Sequence, residues 1–107
     1  MATVIFTGAQ GRMTVRGSCL ASDLDHLVGA LEAFGRTSPN LILDVSRVSV
    51  MSWSVAEALL RACRSLEVDG ARVSWRTRAG SAAERMIFAV RDEPRQQLLV
   101  TLSGRRI

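Results

Sequence analysis

Apolar residues recur with two periods along this 107-residue chain, and the switches between them outline its elements. "TVIFT" (Thr3 to Thr7) and "RMTVRG" (Arg12 to Gly17) are β-prone runs joined through "GAQG", where Gly8 and Gly11 permit the positive φ of a tight connection, so a hairpin is predicted. In the second run Met13 and Val15 alternate with Arg12, Thr14 and Arg16, the pattern of a strand with one face buried. From Ser22 the period lengthens. Leu24, Leu27, Val28, Leu31 and Phe34 stand at helical spacing with Asp23, Asp25 and Glu32 opposite, a first helix closed by Gly35. "LILDV" (Leu41 to Val45) is a continuous apolar run, too short for a helix and expected as a central strand covered on both faces. Beyond "SRVSVM", Val55, Leu59, Ala62, Cys63 and Leu66 form a helical stripe opposite Glu57, Arg61 and Arg64, and Asp69-Gly70 predicts a left-handed C-terminal cap. "ARVSWRT" reads as a fourth strand with Val73 and Trp75 inward. A third helix is predicted from Ser81 to about Val90, carrying Ala82, Met86 and Val90, and "LLVTL" is a last apolar segment.

The order strand, strand, helix, strand, helix, strand, helix, strand requires crossover connections, which set parallel strands side by side with helices packed on them. The expected fold class is α/β, a mixed sheet with an N-terminal hairpin and about three helices, in a single domain over 1–107. The three helices share one start signal, a serine with an acid three residues on: Ser22 with Asp25, Ser54 with Glu57, and Ser81 with Glu84.

Composition narrows the function classes. At 48% hydrophobic and 22% charged residues the chain has a globular composition, far from that of disorder. No apolar stretch is long enough to span a bilayer and "ATVIFTGAQ" after Met1 lacks the basic start of an export signal, so a cytoplasmic protein is expected. Net charge is +4 and every basic residue is Arg, which admits a basic nucleic-acid-binding domain. Against it, the arginines are interspersed with carboxylates and there is no Tyr to stack on bases. Cys19 and Cys63 form no Cys-x-x-Cys pair and read as reduced thiols, and His26 is the only histidine. Neither a metal site nor a catalytic set assembles from these residues, so no cofactor and no enzymatic activity are expected. Gly8 and Gly11 precede a strand where a phosphate-binding loop needs a helix.

"LILDVSRVSVMSWSVAEALL" resembles the core signature of STAS domains, the fold of anti-sigma-factor antagonists: an apolar strand, a turn, a second apolar stretch and a serine-rich element opening a helix. Asp44-Val45-Ser46-Arg47-Val48 corresponds to the turn, and Ser52-Trp53-Ser54-Val55 to the helix-opening element. "RGSCLASDLDHLVGAL" has the length and spacing of the strand-to-helix segment before it. The resemblance covers nearly the whole chain. It implies a regulatory module whose partner is a kinase-type anti-sigma factor, and it implies phosphorylation at Ser54. The acid and glycine usual in that element correspond here to Ser52 and Val55.

Ser54 thus has two readings. As the first residue of a capping box with Glu57 it stabilises the second helix by about 1 kcal/mol. As a phosphoserine it would bring about two negative charges to a helix N-terminus, which tolerates them, and into a docking surface, which does not. Trp53 reads either as an interface anchor or as a ring folded over the sheet edge. The partner-binding set expected is Ser52, Trp53, Ser54, Val55, Arg47 and Arg61, with Arg64 as a further frame. Alternatives are a non-phosphorylated STAS-type scaffold subunit of a stress-signalling or membrane-transport assembly, and the nucleic-acid-binding domain.

Overall fold

A computed structural model describes residues 2–92. Strand β1 (Ala2–Thr7) pairs antiparallel with β2 (Arg12–Cys19), bringing Val4 opposite Val15 and Phe6 opposite Met13. The connection ends on Gly11 at φ +60°, where an added Cβ would stand 2.7 Å from the Asn40 carbonyl oxygen. Glycine is therefore required there on two grounds, conformation and space. Strand β3 (Asn40–Met51) runs parallel to β2, and β4 (Arg72–Arg76) runs parallel to β3. The strand order is β1-β2-β3-β4, a mixed sheet. Helix α1 (Leu24–Thr37) crosses from β2 to β3, helix α2 (Trp53–Val68) from β3 to β4, and a third helix, α3, covers 82–92. The apolar segment 98–102 and the terminal Arg105 and Arg106 lie outside the described residues.

All three helices feed one core. Leu27 and Leu31 of α1, Leu59, Cys63 and Leu66 of α2, and Ala83, Ile87 and Val90 of α3 pack with Met13, Val15, Leu41, Leu43 and Val45. Each fully buried aliphatic side chain contributes about 1.5–3 kcal/mol by leaving water. Among the described residues helices cover only one face of β3, where cover on both was expected: Ile42 and Asp44 turn to the opposite face, where Arg16, Arg47, Arg72, Ser74 and Arg76 are exposed.

Local details depart from the sequence pattern in ways that packing explains. β3 continues past Val45 because β2 goes on pairing with it, Arg16 with Arg47 through Cys19 with Met51, across two register shifts. Asp44 to Val48 is therefore a bulged stretch of strand and not a turn. Asp44 there accepts from the Ser46 amide at 2.9 Å and the Ser46 hydroxyl at 2.6 Å. Gly35 does not close α1, which runs on to Thr37; it is buried against Leu66, where α1 and α2 meet. Gly70 does end α2 as expected, at φ +99°, with the Ala71 amide on the Leu66 carbonyl and the Gly70 amide on the Glu67 carbonyl, a Schellman motif. On α3 the buried stripe is Ala83, Ile87 and Val90, and Ala82 is exposed.

Only one of the three serine start signals caps as expected. Ser81 accepts from the Glu84 amide at 3.1 Å, while the Glu84 carboxylate takes Thr77 Oγ1 at 2.7 Å and the Gly80 amide at 3.0 Å, bonds that lower its pKa. Before α1 the work falls to Asp23 and not to Ser22. Its carboxylate accepts from the Leu20 amide at 3.0 Å and the Ala2 amide at 3.3 Å, tying the start of β1 to the start of α1, and these bonds hold its pKa below the ordinary value.

Candidate partner-docking site

The junction between β3 and α2 holds four of the residues singled out from the sequence, Ser52, Trp53, Ser54 and Val55. The Ser52 amide donates to the Cys19 carbonyl at 2.9 Å, the last bond holding this end of the sheet together. Ser52 is extended, at φ −73° and ψ 157°, and its hydroxyl accepts from the Val55 amide at 3.3 Å. Ser52 is thus the N-cap. Ser54, expected to hold that place, is the second residue of the helix, exposed, with its hydroxyl 3.1 Å from that of Ser52. Glu57, freed from the expected capping box, pairs with Arg61 at 3.2 Å one turn on, an exposed pair of about 0.3–0.5 kcal/mol. The frame shifts by two residues because Val55 and Ala56 are buried and must enter the core on the first turn.

The amides of Trp53 and Ser54 come too early in α2 to meet an intrahelical carbonyl, so the positive end of the helix opens beside the Ser54 hydroxyl. The segments that meet here expose three apolar side chains, of which the sequence reading singled out Trp53 alone. Leu20 is 45% exposed, Val50 42% and Trp53 41%, all at the carboxyl ends of β2 and β3 or the start of α2. Burial patterns within the two strands are irregular near these ends, and no periodicity flags Leu20 or Val50.

The other expected partner contacts do not converge here. Val55 is 1% exposed and belongs to the core beneath the junction, so it offers nothing to a partner. Arg61 and Arg64 are exposed on α2, Arg61 about 10 Å along the axis from Ser54. Arg47 projects from the sheet face opposite the helices, since it pairs with Arg16. His26 is exposed on α1. Burial pushes the Cys63 thiol up to about 12 and that of Cys19 to about 11, so neither is a thiolate nucleophile near neutral pH. Among the described residues no group of three or more His, Cys, Asp or Glu side chains is placed to hold a metal ion.

The fold has close counterparts among solved structures. A crystal structure of an anti-sigma factor antagonist from Mycobacterium paratuberculosis superposes with a TM-score of 0.72 over 88% of this chain and 82% of that one, at 18% identity. The crystal structure of Mglu superposes with a TM-score of 0.58 over 74% of this chain but 20% of its own, also at 18% identity. No protein-family model and no curated protein matches the sequence. The chain has the STAS-type fold of an anti-sigma factor antagonist, in agreement with the resemblance carried by residues 41–60. No helix among the described residues is long and apolar enough to cross a membrane.

Proposed function

We propose that this chain is a regulatory protein-binding module of the anti-sigma-factor-antagonist type. Its partner is an anti-sigma factor or a related kinase-type protein, docked over Ser52, Trp53 and Ser54 with Leu20, Val50 and the outer side of α2 around them. Phosphorylation of Ser54 releases that partner. One observation carries this reading: an exposed serine hydroxyl on the first turn of α2, at a junction whose adjoining segments also expose Leu20, Val50 and Trp53, in an anti-sigma-factor-antagonist fold. A phosphate at this position meets free amides and the positive end of the helix, so the folded domain accommodates it. The same two charges in the midst of Leu20, Val50 and Trp53 resist desolvation, so the complex does not.

The test is incubation with the cognate kinase-type anti-sigma factor and ATP, followed by mass mapping and by titration of a Ser54→Glu variant against the same partner. Modification at Ser54 and weakened binding of the variant are expected. If the partner binds both forms equally, the switch is wrong and the constitutive scaffold reading takes its place. That reading draws on Ser52, a neutral cap where the family's element carries an acid.

A further inference from the structure

The charges of this chain are segregated by face, which the one-dimensional pattern conceals. Among the described residues every carboxylate but one lies on a helix or at a helix cap. The exception is Asp44. Five arginines, in contrast, share the sheet face that no described helix covers: Arg12 and Arg16 on β2, Arg47 on β3, Arg72 and Arg76 on β4. Register fixes this. Thr14, Asp44 and Arg76 form one row across the sheet, Arg12 stands in the row of Ile42 and Ser74, and Arg16 is paired with Arg47. With strands about 4.8 Å apart and about 3.3 Å per residue along each, Arg12, Arg16, Arg72 and Arg76 frame a field of about 10 by 13 Å. Asp44 in its middle is 6% exposed and occupied by both Ser46 donors, so it offsets one charge of five and presents little to solvent. None of the five arginines forms an ion pair with a described residue, and Arg12 Nε is shielded from water without an acceptor.

We propose that this face docks an acidic peptide segment of a partner protein, in extended conformation, through carboxylates received by these arginines. The inference is independent of Ser54 and of the docking site at the β3–α2 junction. Planar guanidinium forks suit carboxylates, and all the cations here are arginines. The remainder of this chain, 93–107, does not complement the face in charge, with Arg95, Arg105 and Arg106 against Glu93. Nucleic acid is disfavoured by the same geometry. A sheet that binds single strands stacks bases on aromatic rings, whereas Phe6 and Trp75 turn toward the helices, Phe6 stacked on Phe34 at 4.1 Å. No described element projects from the face to enter a duplex groove.

The test uses the full chain and fluorescence anisotropy with two probes of equal charge, a labelled peptide of alternating Glu and Val and a labelled single-stranded oligonucleotide. The peptide is expected to bind, with affinity that falls on adding salt and drops about tenfold in the triple variant Arg16→Gln/Arg47→Gln/Arg76→Gln. The helix-face variant Arg36→Gln/Arg85→Gln is expected to bind as the parent does, and circular dichroism checks that both variants fold. Absence of peptide binding, equal loss in both variants, tighter binding of the oligonucleotide, or acidic-peptide binding explained by self-association in sedimentation would each overturn the proposal.

Discussion

Two glycines six residues apart in α1 should respond oppositely to the same substitution. Gly29 is exposed, and a Cβ built on it meets nothing within 4 Å. Gly29→Ala therefore gains only the helix propensity difference, about 1 kcal/mol. Gly35 is buried at the crossing with α2, and its Cβ would stand 2.7 Å from Leu66 Cδ2 and 3.1 Å from Leu66 Cγ, with Cδ1 closer still. Ordinary carbon contacts are about 3.5–4.0 Å, so the whole branched end of Leu66 has to move. Leu66 is itself 6% exposed and cannot swing into water. Overpacking of this kind costs about 1–3 kcal/mol, and here the upper part of that range applies because three atoms clash at once. Set against the same 1 kcal/mol gain, Gly35→Ala should destabilise by about 1–2 kcal/mol.

Urea denaturation of both variants measures the difference, expected at about 2–3 kcal/mol, or a melting temperature raised by about 4 °C in one variant and lowered by about 4–8 °C in the other. A double variant, Gly35→Ala/Leu66→Ala, should be less destabilised than the sum of the two single variants, by a coupling energy of about 1–3 kcal/mol, since the methyls that clash are gone. Equal stabilisation by both alanines would mean that α1 and α2 do not meet at Gly35 and Leu66.

Three further outcomes are expected. Ser52→Ala should lose about 1 kcal/mol of stability in urea titration, while Ser54→Ala should change it by less than about 0.5 kcal/mol; the reverse order would put the cap at Ser54. Burial acts to raise the pKa of Asp44, but the two Ser46 bonds, with Arg76 and Arg12 nearby, more than offset it and leave the carboxyl below its ordinary value. A group depressed on folding stabilises fully above its unfolded pKa of about 3.9 and loses that contribution as pH falls through the folded value, so Asp44→Asn should lower the urea midpoint near neutrality and flatten the acid limb, the two proteins converging at low pH. Cys63 and Cys19, pushed to about 12 and about 11 inside the core, should react with a thiol reagent only at the rate of unfolding, so fast labelling in buffer would refute their burial.

The period of apolar residues made most of the architecture readable, because burial of one face imposes it directly. The hairpin, the central strand and the stripe of α2 rest on residues that the core holds near zero exposure, such as Met13, Val15, Leu43 and Leu59. Residues whose job is set by a distant neighbour were not readable. Nothing around Gly35 announces Leu66 thirty-one residues on, so a glycine required by helix crossing looks like one that ends a helix. Asp23 looks like an ordinary first-turn acid until β1 brings the Ala2 amide to it. The arginines of the open sheet face likewise seem interspersed with acids along the chain, and only strand register and the alternation of side chains sort them onto one side.

The two-residue shift at the start of α2 changes what Ser54 is able to do. With Ser54 as the cap, its hydroxyl would be bound to the first turn, and any modification would remove a bond the helix needs. Ser52 holds that bond instead, accepting from the Val55 amide, and Val55 fixes the turn from below. Ser54 keeps only a 3.1 Å contact with the Ser52 hydroxyl, one that water can replace. Stability and recognition therefore fall on different serines. A charge added at Ser54 alters the surface among Leu20, Val50 and Trp53 while the cap and the core beneath stay as they are, so Ser54→Glu should melt within about 2 °C of the parent whatever it does to binding.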